Sequence, residues 1–330
     1  MYTRVQALSE FFLTLQSHAR DGGDASSLVA RAVSELADIL GFDSAWYGWA
    51  QLGARETVIH ANKTLNLPQN YFSTWQGMAD QDLLLEQFLE DPSMVPTYDR
   101  NGNAQTDGME HLSDTFGLKK MATAMCYRPD RTASFFMSAY RGGTAAKSWT
   151  GAEREFLQCA VNNISAAARN AATLELNAQH GPAVSAFVSH RGSVVVGLAG
   201  MRERFGHLWS RNETDMLPRC LMDYVHSPGE HILPAEELVI RCEPASDPDG
   251  LDWHRLSLRP LVKTDLLSPR EREVAKALAA GKTHKLVARQ LGVAPSTVRN
   301  QTQSIYRKMG VDSRAGLARL MMEQSASSFD

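Results

Sequence analysis

The sequence predicts an α+β multidomain chain: an acidic α/β body, a small β-rich middle unit and an all-α C-terminal module. Three observations predict it. Apolar stretches bounded by turn residues mark strands between residues 44 and 141, and again between 184 and 259. Beyond residue 265 there is only helical periodicity, punctuated by Gly281, Gly292 and Gly310. Charge divides the chain at the same place. Residues 266–322 hold eleven Lys and Arg against three acids, a net +8, whereas the whole chain is at −3, leaving −11 elsewhere. The expected boundaries are 1–175, 181–262 and 266–325, and 43% apolar residues suffice for packed cores.

The body opens with two helical patterns, about 3–19 and 26–40, that stop at Gly41-Phe42. A strand pair follows, Ser44 to Gln51 and Glu56 to Ala61, then short helical stretches at 69–77 and 81–89. Met94 to Tyr98 reads as a further strand, and Asp99 to Gly108 as a turn-rich loop. Two apolar strands, Lys119 to Arg128 and Thr132 to Arg141, are separated by Pro129-Asp130. Thr150-Gly-Ala-Glu153 is a capping-box signal that launches a long helix to about Leu176. Antiparallel strands flanked by helices and closed by a long helix resemble a GAF-type sensory domain. Its candidate ligand residues are aromatic: Trp46 and Trp49 on a strand, Tyr71 and Trp75 four apart on a helix, with Asp82 following. Apolar walls with a carboxylate suit a small organic effector; ordinary core aromatics beside solvated acids are the competing reading.

The middle unit begins with a hairpin, Val184 to Ser189 and Val194 to Gly197, turning at Arg191-Gly192. A helical stretch Ala199 to Trp209, a loop with Pro218 and Pro228, and strands at about 236–243 and 252–259 complete it. The pattern resembles a short PAS-like fold; a β-rich spacer or dimerisation unit fits the same residues.

In the C-terminal module Ser268-Pro269-Arg270-Glu271 is a helix start, with a capping residue, proline at the first helical position and glutamate three after the cap. That helix runs to about Ala280. A second from about Thr283 should turn Leu286, Val287 and Leu291 inward before Gly292. Pro295 opens a third helix ending at Gly310, and a fourth spans about Asp312 to Met322. On the third helix Val298, Thr302, Ile305 and Met309 fall within about 40° of one another and form a core stripe. The opposite face is Ser296, Asn300, Gln303 and Arg307, flanked by Arg299 on one side and by Thr297 and Lys308 on the other. This helix contains no acid, and its outward donors suit base edges and phosphates in a major groove.

Ser268-Pro269-Arg-Glu-Arg-Glu-Val, Ala-Ala-Gly-Lys-Thr, Val-Ala-Arg-Gln-Leu-Gly-Val, Ser-Thr-Val-Arg and Ile-Tyr-Arg-Lys-Met-Gly-Val together resemble the LuxR-type (GerE-like) four-helix helix-turn-helix. The resemblance implies a transcription regulator bound to double-stranded DNA as a homodimer, with Glu271 and Arg314 as structural polar residues and Thr297-Val298-Arg299 opening the recognition helix. RNA polymerase is a further candidate partner. Gln301 stands where the family often has His, and Ala294 where it has Ser or Thr. Arg299 and Asn300, then Gln303, are the base-contact candidates; Ser296 shares their face, while Thr297, Arg307, Lys308 and Lys285 are assigned to phosphates. Pro68, Tyr71, Trp75 and Asp82 are spaced similarly to acyl-homoserine-lactone sensors of this family, an alternative reading, although the full tryptophan and aspartate pattern of those sensors is not reproduced.

Enzyme motifs fail. Gly281-Lys282-Thr283 ends like a phosphate-binding loop, but position 276 is Lys where glycine is required. There is no HExxH, GxSxG or metal-spaced Cys/His set, so no cofactor or metal is expected. A sensor-enzyme acting through the GAF-like body is the alternative of another class. The four cysteines make no CxxC pair and read as buried thiols. No apolar run reaches membrane-spanning length and the N-terminus has no signal-peptide pattern, which predicts a cytoplasmic protein.

Overall fold

The computed structural model describes residues 2–20, 25–52, 57–127, 133–177, 183–209, 216–244 and 253–325. The turn expected at Pro129-Asp130, the strand ends at Glu56, Arg128 and Thr132, and the middle-unit boundary at 181 lie outside the described residues. The chain groups into two compact units. One draws on residues 1–178, 186–227 and 243–255, the other on 179–185, 228–242 and 256–330.

The first unit begins with α1 (Tyr2–Arg20) and α2 (Ala25–Leu40). Leu28, Val29, Ala32, Val33, Leu36 and Leu40 are the buried stripe of α2, spaced as a one-sided helix requires. An antiparallel sheet follows, built from β1 (Ser44–Leu52), β2 (Thr57–Leu65), β3 (Thr97–Asp99), β4 (Leu118–Cys126) and β5 (Ser134–Gly142) in the order β2-β1-β5-β4-β3. Between its strands lie α3 (Tyr71–Gln76), α4 (Leu83–Glu90) and α5 (Asp107–Phe116), and α6 (Gly151–Asn177) closes it. Strand alternation divides the side chains. Tyr47, Trp49, Phe135 and Met137 pack in one cluster with residues of α1, α2 and α6. Trp46, Ala50, Phe136 and Met121 pack in the other, with residues of α3, α4 and α5. This is the helix-flanked antiparallel sheet that the GAF resemblance implies. The capping box of α6 is present: Glu153 N donates to Thr150 Oγ1 (3.3 Å), and Thr150 N donates to Glu153 Oε2 (2.8 Å).

α5 was not expected, since the residues before it read as loop. Thr106 caps it, and Met109 and Leu112 are buried. β3 is also shorter and later than the strand expected at Met94 to Tyr98.

The next strands are β6 (Val184–Ser189) and β7 (Val194–Val196), followed by α7 (Leu198–Phe205) and α8 (Arg219–Val225). β8 (Gly229–Leu233), β9 (Leu238–Pro244) and β10 (Trp253–Pro260) complete a second sheet of order β7-β6-β10-β9-β8. Subtracting five from each label gives the order of the first sheet. The chain therefore lays down one strand topology twice, with helices after the opening hairpin each time. Neither α8 nor β8 was expected, because Pro218 immediately precedes α8 and Pro228 immediately precedes β8, and both prolines suggest loop.

In the second unit β8 and β9 pair antiparallel from Gly229↔Cys242 to Leu233↔Leu238. A single 3-10 turn, Lys263–Leu266, joins β10 to α9 (Pro269–Ala279), α10 (His284–Leu291), α11 (Pro295–Met309) and α12 (Arg314–Ser325). Gly292 and Gly310 both sit at φ 65°, ending α10 and α11 in the left-handed conformation that glycine adopts without strain. Val274, Leu278, Val287, Val298, Ile305, Met309 and Leu317 form the core of the module. Leu286 does not join it: one helical step from Val287, it is 41% exposed. The cysteines are free thiols of mixed setting, with Cys242 buried and Cys159 exposed. Among the described residues no helix is long and apolar enough to cross a membrane, and no group of three His, Cys, Asp or Glu could hold a metal ion.

Candidate nucleic-acid interface and sensor cleft

The recognition helix α11 is set by its punctuation and its stripe. Pro295 occupies the first helical position, and Val298, Thr302, Ile305 and Met309 are all buried. Thr302 stays polar within the stripe by donating to Val298 O (2.7 Å) and lying 3.3 Å from His284 Nε2. With that face inward, Ser296, Thr297, Arg299, Asn300, Gln303, Arg307 and Lys308 are all exposed, as is Lys285 on α10. The predicted reading residues are thus all open to solvent. Among the described residues the side chains of Arg299, Asn300, Gln303, Arg307 and Lys285 have no hydrogen-bond or ion-pair partner in the protein.

Lys308 is different, because it also has a partner within the protein. Its Nζ lies 2.6 Å from Glu271 Oε2, and Ser304 Oγ donates to Glu271 Oε1 (2.8 Å). Glu271 also accepts from Ser268 N (2.8 Å), closing the predicted capping box of α9. One carboxylate therefore caps α9 and clasps α11. Burial alone would raise the Glu271 carboxyl, but Lys308, the Ser268 amide and Ser304 outweigh it and hold the carboxyl down at about 2. Arg314 has the structural role implied for it, donating from Nε to Leu278 O (2.8 Å). Ala294 sits at φ −70° and ψ 146°, the geometry of a capping residue, without a side chain to cap.

The module is also tied to the strand that leads into it. Arg259 on β10 makes a buried two-pronged pair with Asp265, Nη1 to Oδ2 at 2.7 Å and Nη2 to Oδ1 at 2.9 Å. Asp265 further accepts from Val262 N (2.9 Å), and Lys263 Nζ donates to Met309 O (3.1 Å) at the end of α11. Nothing in residue spacing announced this clasp, because a buried Arg–Asp pair six apart in a connecting segment looks like two solvated charges.

In the sensor body Trp46, Tyr71, Trp75 and Asp82 come together, and Trp49 does not. Trp49 is three residues from Trp46, so the strand's period of two turns it to the opposite face. There it packs on Phe135 and Trp253, with the Arg169 guanidinium 4.6 Å over its ring. Trp49 is withdrawn as a ligand candidate. Trp46 lies 4.6 Å from Trp75 and 5.7 Å from Tyr71, ring centre to ring centre. Tyr71 and Tyr140 share a 2.7 Å hydroxyl contact that sequence reading missed, and burial pushes both phenols up. Asp82 accepts from Trp75 Nε1 (2.8 Å) and caps α4 through Leu84 N (2.9 Å) and Leu85 N (3.2 Å). Burial raises its carboxyl despite those bonds. Outside this packed cluster lies an open cleft of about 650 Å³, lined by Phe72, Trp75, Asp80, Asp82, Glu86 and Arg191 among others.

Comparison with known proteins agrees on the module. Residues 265–321 match the GerE family, described as bacterial regulatory proteins of the luxR family. The probable transcriptional regulatory protein NarL of Mycobacterium tuberculosis is 44% identical over 59 residues, 18% of this chain and 27% of that protein. The putative HTH-type transcriptional regulator YhjB of Escherichia coli is 27% identical over 115 residues, 33% of this chain and 58% of that protein. The chain thus spans less than two thirds of the length of these relatives. Among solved structures, Escherichia coli SdiA covers 96% of this chain and 98% of its own at 14% identity and a TM-score of 0.40. The phycocyanobilin-bound GAF domain of a cyanobacterial phytochrome covers 52% and 98% at 12% identity and a TM-score of 0.37. The C-terminal module is a LuxR-family helix-turn-helix.

Proposed function

We propose that the chain is a one-component transcription regulator, in which residues 266–325 bind double-stranded DNA and residues 1–175 receive a small-molecule or protein signal. Residues 181–262 form the PAS-like or dimerisation unit between them. The observation that carries this reading is the outward face of α11: acid-free, exposed, and furnished with Arg299, Asn300, Gln303 and Arg307, none of which is spent on an internal partner among the described residues. Arg and Asn can make two-pronged contacts with guanine and adenine edges, so the face selects sequence as well as charge. Control by a signal requires that the effector bind the DNA-competent and incompetent states with different affinity. The chain works as a homodimer in this reading, placing two such helices on a two-fold operator with half-sites about one helical turn apart or a multiple of it. Footprinting on selected genomic fragments tests this. A protected site with two inverted half-sites is the expected result, and a single unrepeated half-site bound by monomer would remove the dimer from the proposal.

A further inference from the structure

We infer that the cleft beside α3 and α4 takes an organic cation with an apolar body, of the phenylalkyl- or alkylammonium kind. This deepens the sensor reading proposed above and rests on it. The volume of about 650 Å³ is that of a small-molecule site. Its inner wall is apolar, with Phe72 and Trp75 stacked, planes 20° apart and ring centres 6.1 Å apart, beside Ile59 and Leu85. Behind that wall the protein fills its own space with Trp46, Tyr71, Tyr140 and Met121, so a ligand lies along the stacked rings and not inside the core.

The remaining lining decides the charge. Among the described lining residues Asp80, Asp82 and Glu86 stand against one basic residue, Arg191, which is itself engaged with the protein. Asp80 and Glu86 have no hydrogen-bond or ion-pair partner among the described residues. Asp82 differs, since three of its acceptor positions are already used. An anion entering here meets two unpaired carboxylates, and a neutral ligand leaves them as they were. A cation is attracted by both, and the aromatic lining, led by the partly exposed Phe72 ring, favours positive charge as well. The acids and the rings thus select the same sign independently.

The test titrates the full chain with 4-phenylbutylammonium, 4-phenylbutanol and 4-phenylbutyrate, three ligands with one skeleton, by calorimetry. The ammonium compound is expected to bind about tenfold more tightly than the alcohol, with the carboxylate weakest, and the preference should shrink toward unity in about 1 M salt. In the Asp80→Asn/Glu86→Gln double variant, both positions being exposed, ammonium affinity should fall to that of the alcohol, whose own affinity stays unchanged. Equal binding of alcohol and ammonium, or a double variant that keeps the preference, overturns the cation inference while leaving a ligand cleft in place. If Phe72→Ala leaves binding intact, the site lies elsewhere and the inference also fails. Binding of none of the three overturns the inference and the cleft's role in sensing together.

Discussion

Arg299 and Lys308 lie on the same helix and carry the same charge, yet their surroundings differ. The Arg299 guanidinium is exposed and unpaired among the described residues, whereas the Lys308 ammonium sits on Glu271. Arg299→Ala should therefore weaken operator binding by about 1–3 kcal/mol and relax base choice at one position of each half-site. Competition binding across a panel of single-base operator variants measures it, and an unchanged selectivity profile would show that Arg299 does not read bases. Lys308→Ala should act first on stability, by about 1 kcal/mol, because it removes one charged bond from a carboxylate that keeps its other partners. Glu271 makes that stability pH-dependent. Its folded carboxyl is held at about 2, below the 4.5 of a free glutamate, so the contribution is complete above about pH 4.5 and disappears as pH falls toward 2. Acid titration of the urea midpoint should show a loss over that window that Glu271→Gln abolishes; the same loss in the variant would place its origin elsewhere.

At the scale of elements, the helix-turn-helix module carries two predictions, one at each end of its recognition helix. At the start of α11, Ala294 already has capping geometry, so Ala294→Ser adds an acceptor for orphan amides at no backbone cost. It should raise stability by about 1 kcal/mol, read as a higher unfolding midpoint; a lower midpoint would mean that the serine hydroxyl finds a competing partner. At the other end, the clasp built on Arg259, Asp265 and Lys263 joins β10 to the last carbonyl of α11. Asp265→Ala takes the two-pronged carboxylate from a buried guanidinium, whose other contacts include Glu230 at 3.5 Å and the Pro260 carbonyl at 3.3 Å, and should cost about 3 kcal/mol and expose residues 260–268 to protease. Undiminished protection would show that packing alone holds the joint. How well each element could be read tracks how local its determinants are. α11 runs from Pro295 to Met309 as expected because proline, stripe and glycine are all within it. α5 escaped notice because Asp99 to Gly108 is rich in turn residues, although Thr106, Met109 and Leu112 carry a helical spacing that could have revealed it. Trp49 was misassigned despite a rule that settles it: residues three apart on a strand cannot share a face. The Tyr71–Tyr140 contact and the Arg259 clasp depend on tertiary placement, to which neither motif nor period points.

For the whole molecule the decisive quantity is the uneven charge, +8 in residues 266–322 against −11 in the remainder. At least three of the eleven basic residues of the module are engaged within it. Lys308 is held by Glu271 and Arg270 by Glu273, while Arg314 donates to a backbone carbonyl. On the proposed reading surface Arg299, Arg307 and Lys285 remain unpaired among the described residues, and those cations are what a phosphate backbone would meet. A dimer brings two sets, about six cations. Since each neutralised phosphate releases roughly 0.9 counterion, the logarithm of operator affinity should fall against the logarithm of salt with a slope of about −5. A measured slope near −14 would mean that the full net charge of both modules, +8 in each protomer, acts on DNA. Arg307→Ala discriminates further. Removing one such cation from each protomer should flatten the slope by about two, and should do so equally on operator and random DNA, because contacts to phosphate carry no sequence information. If the flattening appeared on the operator alone, Arg307 would belong with Arg299 among the residues that read bases, and the phosphate grip would have to come from Lys285 and the rest of the basic surface.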